Sequence, residues 1–388
     1  MNDVLRAELD RIRDKGLYRT LRTVSSSQGR EIVVDGKRVL NFCSNDYLGL
    51  ASDQRLIEAA ERAMGSFGFG AGASRLVCGN QAEHEFLEQE LSVFKKTESA
   101  LLFSSGYMAN VGIISALCGR EDVVFSDKLN HASITDGIVL SRAEHVRYPH
   151  HDIVFLEEAL KKATGFRRRV IVTDTIFSMD GDRALLREIA ALAEQYDAWL
   201  MVDEAHAFGV LGPSGAGLVE ELGLGDKVHV QMGTLSKAAG SFGAYVAGST
   251  ELIEYLKNSA RSFMFTTAMP AAVAAASREA IRIIHSEPER RARVLHYASL
   301  LREQLKALGF ETLHSSTPII PVMVGDSDKA VKFSRLLFDE GIFISAIRPP
   351  AVPDGKSRLR ITVSAAHTGD DLVCCIAALK RVRDQVGV

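Results

Sequence analysis

The sequence predicts an α/β protein, with a large domain on a mostly parallel sheet and a smaller C-terminal α/β domain. Three observations support this prediction. Short apolar runs alternate with helix-like segments between residues 83 and 248, which is typical of parallel strands covered by helices on both faces. The composition changes after Pro270, where an alanine-rich stretch begins. The chain has 388 residues, enough for about two to three domains.

The N-terminal region is predicted to hold one helix and a small β-region. Apolar residues recur at helical spacing from Leu5 to Ile12, so we expect a charged amphipathic helix over residues 2–22. Residues 30–42 follow as a strand pair, because Asp35-Gly36 is a typical hairpin turn between two β-rich runs.

The central region is predicted to form the large sheet and its covering helices. Apolar runs of strand length are bounded by turn-forming or charged residues, and longer amphipathic stretches separate them. The predicted strands are Ala100–Ser104, Val123–Ser126, Val170–Thr173, Trp199–Val202, Val228–Met232 and Gly243–Ala247, and helices are expected at 83–96, 153–164 and 184–196.

The C-terminal region is predicted to form a second α/β unit. An alanine-rich helix follows Pro270, and a charged helix is expected around 289–307. Further strands are expected at Ile319–Val324, Ile342–Ala346 and Leu359–Thr362, with helices at 328–339 and 369–386. We therefore divide the chain into an N-terminal segment, a large domain and a small domain at 1–42, 43–270 and 271–388.

Composition and charge exclude several classes of function. There are 46 lysines and arginines against 49 acids, a net charge of −3, so we expect no nucleic-acid partner. Five cysteines without a C-x-x-C pair favour reduced thiols in the cytoplasm. The charged N-terminus has no signal-peptide core, and no apolar run is long enough to span a membrane.

Two common site patterns are weak or missing. The run Gly68-Phe-Gly-Ala-Gly72 resembles a dinucleotide loop, but it follows a helix-like segment and lacks the third glycine at the required spacing. His150-His151-Asp152 is more typical of a solvated turn than of a metal site. We therefore predict no metal.

The strongest chemical signals lie at the ends of two predicted strands. Asp203 ends one apolar strand and His206 follows three residues later, while Lys237 follows the next strand, between hydroxyls and glycines. Ligands of open α/β sheets bind beyond the carboxyl ends of strands. Taken alone, Asp203 could cap a helix beside a surface histidine, and Lys237 could be an ordinary surface lysine.

A third strand end supplies an anion cradle. Ser105-Gly106-Tyr107 lies at a strand-to-helix junction, where backbone N–H groups can hold a phosphate. A lysine for an imine, an acid for a protonated ring nitrogen and a phosphate nest are together the requirements of pyridoxal 5′-phosphate (PLP). We therefore predict PLP as the cofactor.

The ordered motifs of the chain also resemble those of a known family. Over nearly its whole length the chain is similar to the α-oxoamine synthases, a family of fold-type-I PLP enzymes. The motifs that carry this resemblance are Asn41–Leu50, Gly70–Arg75, Ser105–Tyr107, Asn130–Ser133, Phe177–Asp182, Val202–His206 and Leu235–Lys237.

The resemblance implies an acyltransferase reaction in which an amino acid condenses with an acyl thioester and loses CO2. The stretches Gly233–Gly248 and Ala346–Thr362 most resemble the biotin-pathway branch of the family. That branch implies L-alanine and a pimeloyl thioester, carried by CoA or by an acyl carrier protein. The alternatives are a glycine C-acetyltransferase or another α-oxoamine synthase, an aminotransferase on the same scaffold, and a non-catalytic PLP-fold protein.

The resemblance also implies roles for residues around the cofactor. Lys237 would hold PLP as an imine and then act as the base at the alanine Cα. Asp203 would pair with the ring nitrogen, and His131 would stack on the ring. His206 and Ser178 would hydrogen-bond the ring hydroxyl oxygen.

Further residues are implied for the phosphate. Gly106 and Tyr107 would offer backbone contacts, and Thr234 and Ser236 would add hydroxyls. Thr266 and Thr267 resemble the family's phosphate contact from the neighbouring subunit, which implies a homodimer with a shared active site.

The substrate residues implied by the resemblance lie near the two ends of the chain. Arg360 would hold the alanine carboxylate through a two-pronged ion pair. Asn45 would orient the substrate, and Arg19 would face the pimeloyl carboxylate.

Overall fold

The chain divides into two compact units in a computed structural model that describes residues 1–387. The large unit comprises residues 48–178 and 183–292, and the small unit comprises 1–47, 179–182 and the residues from 293 onward. Each unit is described by itself below. The domain boundaries that we placed at residues 42 and 270 stay a prediction.

Helices and strands alternate along most of the chain. The helices are α1 (Asn2–Asp14), α2 (Gln54–Phe67), α3 (Ala82–Lys95), α4 (Gly106–Leu117), α5 (Ala132–Ser141), α6 (Ile153–Lys162), α7 (Leu186–Gln195), α8 (Leu218–Leu222), α9 (Thr250–Ser259), α10 (Arg261–Met264), α11 (Ala271–Ser286), α12 (Pro288–Ala307), α13 (Ser327–Asp339) and α14 (Gly369–Val386). The strands are β1 (Glu31–Val34), β2 (Lys37–Asn41), β3 (Ser99–Phe103), β4 (Val123–Asp127), β5 (Glu144–Tyr148), β6 (Arg169–Asp174), β7 (Trp199–Asp203), β8 (Val230–Thr234), β9 (Ala244–Gly248), β10 (Ile319–Gly325), β11 (Ile342–Phe343), β12 (Ser345–Ile347) and β13 (Ser357–Thr362). None of the helices within residues 1–387 combines the length and apolar character that a membrane span requires.

The large unit is built on the seven-stranded, mostly parallel sheet that the sequence predicted. Its strand order is β3-β9-β8-β7-β6-β4-β5. Only β9 runs antiparallel to its neighbours, β3 and β8. Every residue of β4, β8 and β9 is buried, as expected for strands that helices cover on both faces. The predicted fold class is confirmed.

Helices α4 and α5 pack closely against each other and against the sheet of the large unit. Helices α4 and α5 bury Ile113, Ile114, Ile134 and Ile138 against the sheet. Gly137 allows the two helices to approach closely, since a Cβ there would lie 3.0 Å from the Asn110 carbonyl oxygen. A larger residue at 137 would push α5 away from α4.

The small unit contains two three-stranded sheets, ordered β1-β2-β11 and β10-β13-β12. The predicted hairpin between β1 and β2 is present, and its turn residues Asp35 and Gly36 both have positive φ, as a type I′ turn requires. All six residues of β13 are buried, because this strand lies between two others and carries the core of its sheet.

Three predicted elements differ from the structure. The predicted helix over 2–22 ends at Asp14, since Gly16 takes a left-handed φ of 65° just beyond it. The predicted strand at 342–346 is divided between β11 and β12, which belong to different sheets. Strand β5 was missed because it lies at the sheet edge and only Tyr148 is fully buried, which leaves little apolar signal.

His367 is buried in the small unit as a neutral ring. It stacks on Phe42 with ring centroids 4.3 Å apart. Its Nδ1 accepts the Ser364 backbone N–H at 3.0 Å, and its Nε2 lies 3.1 Å from the Asn41 carbonyl oxygen. Nδ1 is therefore an acceptor and Nε2 carries the hydrogen. Burial lowers the pKa of His367 to about 4.

This buried ring predicts an acid-sensitive contribution to stability. The folded-state pKa lies below the ordinary value of 6.5, so the unfolded chain takes up a proton first as the pH falls. The contribution of His367 to the free energy of unfolding is complete above about pH 6.5 and is lost progressively toward pH 4. By pH 5 the loss is about 2 kcal/mol.

Urea unfolding of the wild type and of His367→Gln at pH 7.5 and pH 5.0 measures this effect. We expect the wild type to lose about 2 kcal/mol more than the variant between the two pH values. Equal losses in the two proteins would show that His367 is not the group responsible.

Candidate active site

The carboxyl ends of β6, β7 and β8 and the start of α4 surround one cavity in the large unit. Its volume is about 180 Å³. Nine residues predicted from the sequence line it: Gly106, Tyr107, His131, Ser178, Asp203, His206, Thr234, Ser236 and Lys237. The structure therefore brings together residues that are spread over more than a hundred positions of the sequence, and their individual roles stay predictions.

Lys237 stands on a tight turn directly after β8. The turn closes through a hydrogen bond from the Gly240 N–H to the Lys237 carbonyl oxygen at 2.8 Å. Gly240 has a φ of 62°, and a Cβ there would lie 2.4 Å from the Ala51 nitrogen, so only glycine fits this position. Lys237 Nζ lies 2.9 Å from His206 Nε2. The turn thus holds an amine and an imidazole together at the sheet edge.

Asp203 is a buried acid that lacks a cationic side-chain partner. Its side chain is 4% exposed. Oδ1 accepts the Ala205 N–H at 2.8 Å, and Oδ2 accepts Asn110 Nδ2–H at 2.8 Å. No lysine or arginine among residues 1–387 forms an ion pair with it. A buried carboxylate of this kind is stabilised by a cationic ligand group in the cavity.

A second acid, Asp174, ends the neighbouring strand and faces the same cavity. It pairs with Asp203 in the register of β6 and β7, and its Oδ2 accepts the His131 backbone N–H at 2.9 Å. Burial and the nearby Asp203 carboxylate raise the pKa of Asp174 well above its usual range. Both influences favour the neutral form of Asp174.

The N-terminus of α4 forms one end of the cavity. The Ser105 side chain caps the helix by accepting the Met108 N–H at 3.2 Å, which leaves the N–H groups of Gly106 and Tyr107 for a ligand. A Cβ at Gly106 would lie 3.3 Å from the Met232 methyl group, so glycine keeps this end open. The arrangement fits an anion.

The two hydroxyls expected at the phosphate are not equally available. Thr234 Oγ1 donates to the Gly243 carbonyl oxygen at 2.9 Å, and it lies 2.7 Å from Ser236 Oγ. A hydroxyl has one hydrogen, so Ser236 donates to Thr234. Ser236 can redirect its hydrogen to a phosphate without breaking a backbone contact, whereas Thr234 would have to release Gly243.

His131 caps α5 at the mouth of the cavity. The His131 side chain is partly open to solvent, but the surrounding protein removes part of its hydration. This desolvation lowers the pKa of His131 below its ordinary value. The Asp203 carboxylate opposes this shift, and Lys237 adds to it. The imidazole is therefore neutral at pH 7. His206 Nε2 lies 2.9 Å from Lys237 Nζ, and its role at the ring hydroxyl stays a prediction.

Sequence reasoning missed three polar side chains that line the cavity: Asn110, Ser133 and Asp174. Asp174 could have been found, because it ends β6 as Asp203 ends β7 and the strand-end rule applies to both. Asn110 and Ser133 lie one turn or less inside helices, where the sequence shows no sign that they face a ligand.

Two of the three predicted substrate residues, Arg360 and Asn45, lie together within the small unit. Arg360 is 7% exposed on β13, and it donates to Thr362 Oγ1 at 2.8 Å and to Asn45 Oδ1 at 3.1 Å. Arg358 lies on the same face and forms an ion pair with Asp180. The structure thus brings Arg360 and Asn45 together, and their roles as substrate residues stay predictions.

Arg19 lies in a different part of the small unit. Its guanidinium donates to the Pro349 carbonyl oxygen at 3.0 Å and is exposed. Arg348, the other arginine of this region, donates to the carbonyl oxygens of Gly16 and Tyr18. The two arginines thereby tie the segment after α1 to the loop after β12.

Thr266 and Thr267 do not line the Lys237 cavity of their own chain. They border a separate cavity of about 20 Å³ with Ser104 and His84. Thr267 forms a β-bridge with Ser74. This bridge fixes the segment of Thr266 and Thr267 against residues 68–79, which we call the glycine-rich loop.

The donor set of the large-unit cavity fits PLP. A helix N-terminus and a free hydroxyl suit a phosphate, and the buried Asp203 carboxylate suits a protonated ring nitrogen. The amine of Lys237 suits an imine with an aldehyde. The fold and the site therefore define a PLP-dependent enzyme of fold type I.

Comparison with known proteins agrees with this class. The model of the aminotransferase class I and II family matches residues 37–379. A serine palmitoyltransferase structure from Sphingomonas wittichii is 30% identical, with 99% of this chain and 98% of that chain covered and a TM-score of 0.94. The serine palmitoyltransferase of S. paucimobilis, 33% identical over 99% of this chain with a TM-score of 0.94, was solved with PLP and myriocin bound.

Curated relatives narrow the assignment. The 8-amino-7-oxononanoate synthase of Geobacter sulfurreducens is 50% identical over the full length of both chains, and that of Lysinibacillus sphaericus is 49% identical over the full length of both. A Francisella tularensis structure of the same name is 28% identical, covers 90% of this chain and 99% of its own, and has a TM-score of 0.78. The chain belongs to the aminotransferase class I and II family and, within it, to the 8-amino-7-oxononanoate synthases, so PLP is its cofactor.

Proposed function

We propose that the protein condenses L-alanine with a pimeloyl thioester to give 8-amino-7-oxononanoate, CO2 and the free thiol carrier, in biotin biosynthesis. The single observation that carries the proposal is the cavity of the large unit, where Lys237 and Asp203 stand at adjacent strand ends. The whole-length similarity to 8-amino-7-oxononanoate synthases supports the choice of substrates. The thiol carrier in this proposal is either CoA or an acyl carrier protein.

When bound, PLP supplies the electron sink that makes the α-proton of an amino acid acidic. The Asp203 carboxylate would maintain that sink by holding positive charge at the ring nitrogen. Lys237 Nζ is the base that removes the alanine α-proton, and His206 Nε2, 2.9 Å away, orients the amine. His131 stays neutral, so it adds no second positive charge near Lys237.

Arg360 holds the alanine carboxylate until that group leaves as CO2. The C–S bond of the thioester breaks as the new C–C bond forms, and the thiolate leaves and takes up a proton. After CO2 is lost, Lys237 returns a proton to the carbon that carried the carboxylate. Asn45, which accepts from Arg360, fixes the direction of the guanidinium.

We also propose that the enzyme works in the cytoplasm. All five cysteines are unpaired thiols, and two of them, Cys78 and Cys374, are exposed. Exposed thiols persist in a reducing compartment.

A product assay tests the proposed reaction. The PLP-loaded protein is incubated with alanine or glycine against pimeloyl-, acetyl-, succinyl- and palmitoyl-CoA, and the amino ketone is detected by mass spectrometry. We expect product chiefly from alanine with pimeloyl-CoA, and none from Lys237→Ala. Preferred use of glycine with acetyl-CoA would replace this function by glycine C-acetyltransferase.

Chain selectivity gives a further prediction. Arg19 offers a cation for the distal carboxylate of a pimeloyl chain, so Arg19→Ala is expected to raise the KM for pimeloyl-CoA about tenfold through the loss of a charge-assisted hydrogen bond. The KM for alanine and the use of heptanoyl-CoA, which lacks the carboxylate, should not change.

Arg22→Ala is the matched control, because Arg22 lies in the same segment but pairs with Asp35 at 2.7 Å. If Arg19→Ala impairs the use of pimeloyl-CoA and of heptanoyl-CoA equally, Arg19 does not bind the distal carboxylate.

We further propose a homodimer in which each subunit completes the other's site. Thr266 and Thr267 lie outside the Lys237 cavity of their own chain, and Phe265 beside them is 69% exposed. The glycine-rich loop nearby exposes Phe69 and Val77, at 81% and 78%. Neighbouring exposed apolar side chains of this kind favour an interface.

A hybrid-dimer experiment tests the shared site. Thr266→Val with Thr267→Val should weaken PLP binding, because each lost hydrogen bond to phosphate removes about 1.5–3 kcal/mol. Mixing this variant with Lys237→Ala should restore part of the activity, since one of the two sites becomes intact.

Mixing Lys237→Ala with Asp203→Asn is the control, because both changes lie in the same chain's cavity and no intact site can form. If subunits demonstrably exchange and the first mixture stays inactive, the shared site is refuted.

A further inference from the structure

A continuous line of hydrogen bonds connects two sides of the cofactor cavity. His131 Nδ1 lies 2.7 Å from Ser133 Oγ. Asn110 Nδ2 lies 2.9 Å from Ser133 Oγ and 2.8 Å from Asp203 Oδ2. One amide nitrogen therefore bridges the serine next to His131 and the carboxylate at the end of β7.

The chemistry of the groups fixes the direction of every hydrogen bond. The Asn110 amide has two hydrogens, and one goes to each neighbour. The reverse orientation would place Asn110 Oδ1 against the Asp203 carboxylate, where two acceptors would meet. Ser133 Oγ accepts from Asn110, and because His131 Nδ1 already accepts the Ser133 backbone N–H, the hydroxyl hydrogen of Ser133 points to the same nitrogen. The Ser133 backbone N–H also points to that nitrogen, at 3.3 Å.

His131 Nδ1 therefore receives two hydrogen bonds and carries no hydrogen. The backbone N–H of Ser133 cannot rotate away, so a hydrogen on Nδ1 would meet a fixed donor. The neutral ring must carry its hydrogen on Nε2.

The line is shielded from water. Asn110 is 1% exposed and Ser133 is 0% exposed, so no solvent molecule competes for these bonds. The close approach of α4 and α5 at Gly137 brings Asn110 on the first helix within reach of Ser133 on the second. The packing of two helices thus determines the length of the line.

The charged groups around His131 come from four elements. Asp203 on β7 and Asp136 on α5 favour a charged ring, whereas Lys237 opposes it. Asp174 on β6 accepts the His131 backbone N–H and is expected to hold a proton. Desolvation is the largest influence, and it lowers the pKa of His131.

We propose that Asn110 and Ser133 are positioning residues that couple Asp203 to His131. The carboxylate that would anchor the PLP ring nitrogen and the imidazole that would lie over the ring are then held as one unit. The coupling keeps the hydrogen of neutral His131 on Nε2 and fixes the orientation of the Asp203 carboxylate. The inference concerns the PLP pocket alone and does not depend on which acyl thioester the enzyme uses.

The first test observes the wild-type protein directly. Nuclear magnetic resonance of the ¹⁵N-histidine-labelled protein distinguishes the two neutral ring forms, and His131→Gln assigns the signal. We expect His131 to carry its hydrogen on Nε2, with and without PLP. A hydrogen on Nδ1 in the wild type would overturn the proposal.

The second test is a double-variant cycle on PLP binding. Ser133→Ala removes the closer of the two donors to His131 Nδ1 and keeps only the backbone N–H at 3.3 Å, so the share of rings that carry hydrogen on Nδ1 should rise. Asn110→Leu, which keeps the volume but removes both donors, should raise the PLP dissociation constant roughly tenfold or more. Both changes cut the same line, so the double variant should bind PLP about as well as Asn110→Leu alone.

Ser141→Ala is the matched control, because Ser141 is a buried serine on the same helix whose hydroxyl donates to the Ile138 carbonyl oxygen at 2.7 Å. It should change neither the His131 signal nor PLP binding. Losses that multiply independently in the double variant, or a His131 signal unchanged by Ser133→Ala, would refute the coupling.

Discussion

The buried carboxylate of Asp203 is the constraint on which the rest of the site depends. Taking a carboxylate out of water costs several kcal/mol unless a cation or enough donors replace the lost solvation. Asp203 receives two hydrogen bonds, from the Ala205 N–H and from Asn110. The remaining stabilisation must come from a cationic ligand, and we propose that the protonated ring nitrogen of PLP supplies it. The pocket is thus electrostatically incomplete without its cofactor.

The fold provides this arrangement through the sheet. Strand β7 lies between β6 and β8, so three consecutive carboxyl ends meet at one edge and bring Asp174, Asp203 and Lys237 together. The tight turn at Gly240 fixes the lysine, and the capped start of α4 offers N–H groups at the other end. The opposed requirements of a buried acid, a reactive amine and an anion cradle are met by one edge of one sheet.

The sequence predicted much of this and failed for identifiable reasons. Strand ends revealed Asp203 and Lys237 because a polar residue after an apolar run is a local signal. The bond between Asn110 and Asp203 joins residues 93 positions apart, and no local pattern reports it. Helix α1 ended early because Gly16 takes a left-handed conformation, and β5 escaped because an edge strand need not be apolar. The location of Thr266 and Thr267 outside their own chain's cavity was implied by the family resemblance, and no local pattern reports it.

The protonation state of the PLP ring nitrogen tests the central claim most directly. The ¹⁵N chemical shift of ring-labelled PLP bound to the wild-type protein and to Asp203→Asn measures it. The account predicts a protonated nitrogen at neutral pH in the wild type, and loss of that proton in the variant. An unprotonated ring nitrogen in the wild type, or a protonated one that Asp203→Asn leaves unchanged, would contradict it.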